Sequence, residues 1–236
     1  MGSNSQSSFA SRLGKAKSLQ TIVSGYSDYV APIESASLTT FAQTISDIET
    51  LQQQYNTAKS DYTTKTNARK KVFTDNSDSL EKRLSPIRTF IEALKGKNST
   101  ELTQITSLVN KIRGNVTKST SPSTESEAVT ISQIERTYAS RLSNFKNIID
   151  ILTSYGGDYT PPNELITVAS LNEVAVNAEA SNTAVDLSLS VLKPVIDQRQ
   201  TMFGTLRQQA QSIKSFIKAQ YGLDSNEYKQ VKKLTI

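Results

Sequence analysis

The stretch Ile213-Lys-Ser-Phe-Ile-Lys-Ala-Gln-Tyr-Gly-Leu-Asp-Ser-Asn-Glu-Tyr228 decides how this chain is interpreted, because a related stretch occurs earlier. The earlier copy is Ile87-Arg-Thr-Phe-Ile-Glu-Ala-Leu-Lys-Gly-Lys-Asn-Ser-Thr-Glu-Leu102, at an offset of 126 residues. Both copies carry an isoleucine, Phe-Ile, Ala, Gly, Ser and Glu at matching positions. The match indicates a tandem duplication.

The match extends outward through most of the chain. It runs at an offset of 130 residues from Tyr29 against Tyr159 to Phe73 against Phe203, so the first copy carries four extra residues between Phe73 and Ile87. We predict a disordered tail over residues 1–8, a helical repeat over 9–113, a polar linker over 114–125 and a second repeat over 126–236. Repeats of about 100 residues are far longer than the 20–50 residue units of solenoids.

Composition limits the fold and the chemistry. The 236 residues include no Cys, His or Trp, which excludes disulfides, metal sites built on Cys or His, and catalysis by thiol or imidazole. Only nine Gly and six Pro accompany many helix-forming residues. No apolar run approaches the ~20 residues that span a bilayer, and no signal peptide is evident. The default expectation is therefore a cytoplasmic protein, unless a signal peptide has been removed.

The apolar pattern predicts an all-α protein. Helices are expected over 9–26, 32–60, 62–95 and 99–113 in the first repeat. The second helix carries a near-heptad apolar seam at Leu38, Phe41, Ile45, Ile48, Leu51, Tyr55, Ala58 and Tyr62, as coiled coils do. About three long helices and one short helix per repeat would form an elongated antiparallel bundle, with both repeats packed together about a pseudo-twofold axis.

Several helix boundaries follow from single residues. Pro32, Pro162 and Pro194 are expected to begin helices, and another helix is expected to begin near Ser126. The positions of Gly96 and Gly222 predict left-handed helix ends. Asn98 with Glu101, and Asp224 with Glu227, are predicted to cap the helices that follow. The insertion predicts a break between residues 74 and 86 that the second copy lacks.

Matched charged and aromatic residues are the candidate site residues. The pairs Arg12/Arg141, Glu49/Glu179 and Arg69/Arg199 form either interhelical ion pairs, the favoured interpretation, or a repeated anion site. Metal ligation by the oxygens of Glu34/Glu164 and Asp28/Asp158 is disfavoured, because the dense Asp/Asn/Gly loop of calcium sites is missing and helix capping explains the glutamates. Tyr26/Tyr155 and Tyr29/Tyr159 are interpreted as packing wedges rather than ligand stackers. We predict no catalytic, cofactor-binding or metal residues and no cofactor.

Positive charge is concentrated in the first half. Residues 1–118 hold 16 Lys/Arg and 10 Asp/Glu, a net +6, whereas residues 119–236 hold 11 and 12, a net −1. Much of the excess lies in Lys65, Arg69, Lys70, Lys71, Lys82, Arg83 and Arg88. A solvated helix face is favoured over a nucleic-acid footprint.

Two stretches carry a resemblance. Tyr159-Thr-Pro-Pro-Asn-Glu164 and the sixteen residues from Phe216 to Val231 resemble duplicated helical proteins of Bacteroidetes-type bacteria that have no assigned function. The resemblance covers both repeats, and no activity or site residue is carried over from it.

These observations predict a non-enzymatic helical-bundle protein that acts through protein–protein contacts, as a scaffold or by self-association. The partner is another protein or a second copy, and no small-molecule substrate is evident. Electrostatic nucleic-acid binding by the basic first repeat is one alternative. Membrane association by amphipathic helices is another, with less support because the seams are diluted by Thr and Ala.

Overall fold

The computed structural model describes residues 8–114 and 137–236, and every regular element in these ranges is helical. The all-α class is therefore confirmed. The helices are α1 (Phe9–Ser24), α2 (Leu38–Lys70), α3 (Leu80–Lys95), α4 (Thr100–Arg113), α5 (Tyr138–Ser154), α6 (Val168–Tyr221) and α7 (Asn226–Lys232). Short 3-10 segments lie at Glu34–Ala36, Gly156–Asp158 and Glu164–Ile166, and a π-helical segment at Lys71–Asp75.

The chain divides into two compact units. Unit 1 contains Met1–Ser60 and Ser190–Ile236, and unit 2 contains Asp61–Leu189. The boundaries fall inside α2 and α6, so each unit takes segments from both halves of the sequence.

The core of unit 1 joins α1 and the first part of α2 to the second part of α6 and to α7. The predicted α2 seam provides Phe41, Ile45 and Ile48, which are 0–4% exposed. They share one apolar cluster with residues more than 150 positions later, namely Phe203, Leu206, Ala210, Ile213, Ile217 and Val231. Residues of the second half of the sequence thus cover the first part of this seam.

The core of unit 2 is built the same way from the remaining segments. Helix α4 packs against α3 and α5. Its apolar cluster combines Phe73 and the inner faces of α3 and α4 with α5 and the first part of α6, including Phe145, Ile148, Leu152, Leu171 and Ala178.

The break predicted in the first copy is confirmed. Helix α2 passes into the π-helical segment, residues 76–79 are not helical, and α3 begins at Leu80. The Ser79 hydroxyl donates to the Thr74 carbonyl at 3.1 Å and holds this turn closed. The matching part of the second copy lies in α6, which continues for 54 residues. An inserted helical turn can be absorbed by a local π-bulge and break.

Two predicted helix boundaries are wrong. No break occurs at residues 60–62, and Pro194 lies inside α6 rather than at the start of a helix. The expectation of three long helices and a short one per repeat needs correction accordingly, because the second half has only α5, α6 and α7 in its described part. A proline removes one backbone donor. Burial of Leu192 just before it and Phe203 beyond it stabilises the continuous helix.

Helix starts also differ from the prediction. Helices α2 and α6 begin at Leu38 and Val168, and not at Pro32 and Pro162. Ser37 caps α2 by accepting from the Thr40 N–H at 3.1 Å. Ser99 and Ser225 cap α4 and α7, in place of the predicted Asn98 and Asp224. Each serine is extended and accepts from the N–H three residues on, as an N-cap requires.

The matched Gly96 and Gly222 hold backbone conformations that other residues rarely adopt. Gly96 and Gly222 have φ values of 92° and 95°. Positive φ agrees with the prediction, although ψ of 156° places Gly96 outside the left-handed helical region. The predicted tail, the linker and the helix start near Ser126 lie outside the described residues, apart from Ser8 and Gly114.

Candidate functional site

The first arginine cluster lies in unit 1 and consists of Phe9, Arg12, Tyr55, Arg199 and Phe203. The rings of Phe9 and Phe203 pack with centroids 4.6 Å apart. Arg199 places its guanidinium carbon 4.1 Å from the Phe9 ring and 4.3 Å from the Tyr55 ring. Arg12 lies 5.0 Å from the Phe203 ring and donates to the Phe203 carbonyl at 3.1 Å. Helices α1, α2 and α6 therefore meet through cations stacked on aromatic faces.

The second arginine cluster lies in unit 2 and consists of Arg69, Phe73, Glu81, Tyr138 and Arg141. The rings of Phe73 and Tyr138 pack edge to face at 4.8 Å. Arg69 lies 4.0 Å from the Tyr138 ring, and Arg141 lies 5.5 Å from the Phe73 ring. Arg141 also donates from Nη2 to Glu81 Oε2 at 3.0 Å.

The two clusters use matched positions. Phe9 and Arg12 precede Tyr138 and Arg141 by 129 residues, and Arg69 and Phe73 precede Arg199 and Phe203 by 130. The sequence singled out all four arginines, but the favoured ion-pair interpretation is wrong for three of them. Among the described residues, only Arg141 of the four forms an ion pair. Aromatic rings replace the expected carboxylates.

The matched glutamates do form interhelical ion pairs, with lysines that the sequence analysis did not consider. Lys17 of α1 pairs with Glu49 of α2. Lys146 of α5 pairs with Glu179 of α6 at 2.9 Å. Lys17 and Lys146 are 129 residues apart, so a systematic search of matched lysines could have found them.

The two arginine clusters differ at one charged position. Glu81, which neutralises Arg141, is matched 126 residues later by Arg207. Burial, and after it the positive charge of Arg207, lower the pKa of Arg12. None of the ion pairs in the described part of the chain involves Arg12, Arg199 or Arg207.

The charge of the whole protein follows the same division. Unit 1 contains 12 Lys/Arg and 7 Asp/Glu, a net +5, whereas unit 2 contains 15 of each and is neutral. The excess of positive charge lies in the first half of the sequence, but each folded unit contains residues from both halves. The basic residues 65–88 join the acidic part of the second repeat in unit 2.

The basic set expected for nucleic acid is partly engaged in other contacts. Lys65 and Lys70 pair with Asp61 and Asp75 at 3.9 and 3.3 Å. Arg69 belongs to the second arginine cluster, and Arg83 is only 5% exposed. The exposed remainder is Lys71, Lys82 and Arg88.

Arg83 is a buried cation that sequence reasoning missed. Its Nε donates to the Asp78 carbonyl at 2.9 Å, and its Nη1 donates to the Ser170 hydroxyl at 2.7 Å and to the Leu165 carbonyl. Burial lowers the pKa of Arg83, against the charges of Asp78 and Glu173. These bonds fasten α3 to the start of α6, so Arg83 serves unit 2 structurally.

The matched tyrosines agree with a packing role. The Tyr29 and Tyr159 hydroxyls donate to the Ala36 and Ile166 carbonyls at 2.8 and 2.7 Å. Burial raises the pKa of both hydroxyls.

The second tyrosine pair lies at helix ends. Tyr26 donates to the Glu227 carbonyl at 3.0 Å and packs against Tyr221. Tyr155 lies under the Lys95 ammonium, with 5.0 Å from the nitrogen to the ring centroid.

The carboxylates considered for a metal serve local structure. Glu34 and Glu164 occupy the first turns of their 3-10 segments, and Asp158 pairs with Lys95 at 3.6 Å. Within the described residues no three acidic side chains come together to hold a metal.

One open groove lies in unit 1, with a volume of about 600 Å³. It is lined by Asp47, Thr50, Leu51 and Gln54 of α2 and by Asp197, Gln198, Thr201 and Met202 of α6. Its lining mixes two carboxylates with hydroxyl, amide and apolar groups.

No helix in the described part of the chain is both long and apolar enough to cross a membrane. No family model matches the chain, and neither a curated protein nor a solved structure matches it.

Proposed function

We propose that this chain is a non-enzymatic helical-bundle protein that acts through protein–protein contacts, as a scaffold or by self-association. The observation that carries the proposal is the surface of α6. Among the described residues, five of the ten exposed large hydrophobic side chains lie on this helix, namely Val176, Leu187, Leu189, Val191 and Ile196. Single exposed aliphatic residues are ordinary, but helical spacing places Val176, Leu187 and Val191 on one side of α6, and such a stripe is typical of contact surfaces.

We also propose that the chain arose by tandem duplication and forms an antiparallel bundle. The paired arginine clusters, the paired Lys–Glu bridges and the paired tyrosine hydrogen bonds support a common ancestor for the two repeats. Both apolar cores draw on both halves of the sequence, which supports mutual burial of the two copies.

The absence of enzymatic activity is part of the same proposal. The matched charged and aromatic residues, which were the best candidates for chemistry, fasten helices to one another. Arg83, the most buried of the described cations, uses Nε and Nη1 for three hydrogen bonds within unit 2.

The test is the association state of the purified protein, with and without changes on α6. We expect chemical cross-linking to give a discrete self-complex, or a partner captured specifically from the native host, and Val176→Lys with Val191→Lys to abolish it. Val176 and Val191 are 64% and 61% exposed, so the fold should survive. Val30→Lys is the control, because Val30 is 77% exposed but lies outside α6. Equal loss with the control, or no complex at all, contradicts the proposal.

Nucleic-acid binding by the first repeat is the second candidate, carried by the exposed Lys71, Lys82 and Arg88. Binding through them would weaken steeply with salt, because phosphate contacts release counterions. Reversing the charge of these three residues should then remove binding at low salt. Arg83 is kept, since its loss would disturb the core of unit 2. No binding to DNA or RNA at low salt rejects this candidate.

A further inference from the structure

The first arginine cluster has the geometry of a carboxylate site without a carboxylate. In the second cluster, Arg141 rests on aromatic rings and donates to Glu81 at 3.0 Å. In the first cluster, the matched Arg12 rests on the matched ring of Phe203 at 5.0 Å. The position of Glu81 is taken by Arg207.

Arg207 is accessible and Arg12 is half-buried. Arg12 uses Nη2 for the Phe203 carbonyl, which fixes its guanidinium while other N–H donors remain. A fixed, partly desolvated guanidinium binds carboxylates more strongly than a mobile surface cation does.

No acidic side chain of the described residues pairs with Arg12, Arg199 or Arg207. The like charges of Arg12 and Arg207 disfavour the cluster when it is left alone. The net +5 of unit 1 adds to the attraction for an acidic partner. An anion from outside would relieve this repulsion.

We propose that Arg12 and Arg207, with Arg199 on the Phe9 ring that Arg12 also contacts, form a docking site for Glu or Asp side chains of an acidic segment on a partner protein. This inference rests on the proposed function and names its partner class. A carboxylate is the indicated ligand because Glu81 binds this same arginine–aromatic arrangement in unit 2. Bidentate pairing between guanidinium and carboxylate suits such a site.

The test uses the full-length protein and a fluorescein-labelled hexaglutamate peptide, followed by anisotropy at about 20 mM NaCl, where screening is weak. Arg207→Glu copies the arrangement of unit 2 and supplies an internal carboxylate to Arg12. We expect it to weaken peptide binding about tenfold or more. Lys193→Glu makes the same change of charge at an exposed position of α6 in unit 1 and should leave binding within about twofold.

Thermal unfolding shows whether the variant is folded. Arg207→Glu should unfold at the same temperature as the wild type or about 1–3 °C higher, because it removes a repulsion and adds an ion pair. A hexaglutamine peptide should not bind.

Three outcomes overturn the site. Equal weakening by Arg207→Glu and Lys193→Glu would show only a diffuse charge effect. Unchanged binding in Arg207→Glu would exclude the arginine pair. Tighter, Arg207-dependent binding of a labelled hexathymidylate would identify a nucleic acid instead of an acidic protein segment. If the α6 variants abolish association while Arg207→Glu changes nothing, the docking site fails and the proposed function stands.

Discussion

Units 1 and 2 contain the same arginine–aromatic contacts but differ in the groups that accept hydrogen bonds from the arginines. In unit 2 Arg141 donates to Glu81, and Arg83 donates to two carbonyls and a hydroxyl, whereas Arg69 has only its ring contact within the described residues. In unit 1 the matched positions hold Arg207 and Gln209. The Gln209 Oε1 is buried and makes no hydrogen bond. The comparison shows that an aromatic ring and a backbone carbonyl can position an arginine without a carboxylate.

The largest expected effect comes from dividing the repeats. A fragment of residues 1–118 keeps only one side of each core, because Phe145, Ile148 and Leu171 leave unit 2 and Phe203, Ile213 and Ile217 leave unit 1. Each buried aliphatic or aromatic side chain contributes about 1.5–3 kcal/mol. We expect no cooperative unfolding of the fragment by circular dichroism.

Mixing this fragment with residues 119–236 is the control and should restore the helical signal and a cooperative transition. If the isolated fragment is a stable helical monomer, the two units cannot be built from segments of both repeats. In that case the comparison between the arginine clusters of units 1 and 2 has no structural basis.

The second-largest effect is expected when Arg83 is replaced, and it is compared with replacement of the matched Gln209. Arg83→Met leaves the partly buried Asp78 and Leu165 carbonyls without their donor and should lower the free energy of unfolding by about 3 kcal/mol. Urea denaturation measures the loss. Hydrogen exchange should show faster exchange in α3 and the start of α6, within unit 2.

Gln209→Met is the matched control in unit 1. It removes a buried oxygen that has no hydrogen-bond partner, so the free energy of unfolding should change by less than about 1 kcal/mol or rise slightly. Equal losses in the two variants would mean that the matched positions are equally satisfied, against the difference inferred between the units.

The contrast between these two residues also shows what the sequence could predict. The heptad spacing located Phe41, Ile45 and Ile48 in the core, because periodic apolar residues have one low-energy environment. The four-residue insertion located the break before Leu80, because it shifts one copy against the other. Arg83 lies within a basic run, and this pattern predicted a solvated side chain. Its burial depends on acceptors of Leu165 and Ser170, which are far away in sequence.

The site was only half predictable for the same reason. Internal matching selected Arg12, Arg69, Arg141 and Arg199 as a group, but spacing cannot tell an aromatic partner from an acidic one. The continuous α6 was missed because a local rule for Pro194 was outweighed by burial on both sides of it. The two segments of unit 1 are separated by more than a hundred residues, which local patterns do not register.

The third effect compares the tyrosine hydrogen bonds. Tyr159→Phe removes a bond of 2.7 Å in a place only 6% exposed and should cost about 1–1.5 kcal/mol, and Tyr29→Phe about 0.5–1, because Tyr29 is less buried. Urea denaturation at neutral pH measures both.

The same pair gives a pH dependence. Burial raises the pKa of Tyr159 and Tyr29 in the folded state, so the unfolded state releases its protons first as pH rises. The stability from this source is fully present below the unfolded value of about 10 and decreases above it. Tyr159→Phe should therefore flatten the alkaline loss of stability more than Tyr29→Phe. Parallel alkaline curves for the two variants would contradict the difference in burial.

The smallest effect is expected when the carboxylate of Glu81, which distinguishes the second arginine cluster from the first, is removed. Glu81→Gln should lower the free energy of unfolding by about 0.5–1 kcal/mol at low salt, because Arg141 loses its ion pair but keeps its ring contacts. The loss should shrink at about 1 M NaCl, where charges at this distance are screened. Glu92→Gln, on the same helix and without an ion pair in the described residues, is the control. Glu81→Gln should also bind the hexaglutamate peptide more tightly than the wild type does, because Arg141 is then free to bind a peptide carboxylate. Such a gain would show that the two arginine clusters differ mainly in whether a carboxylate of the chain itself is bound to the arginine.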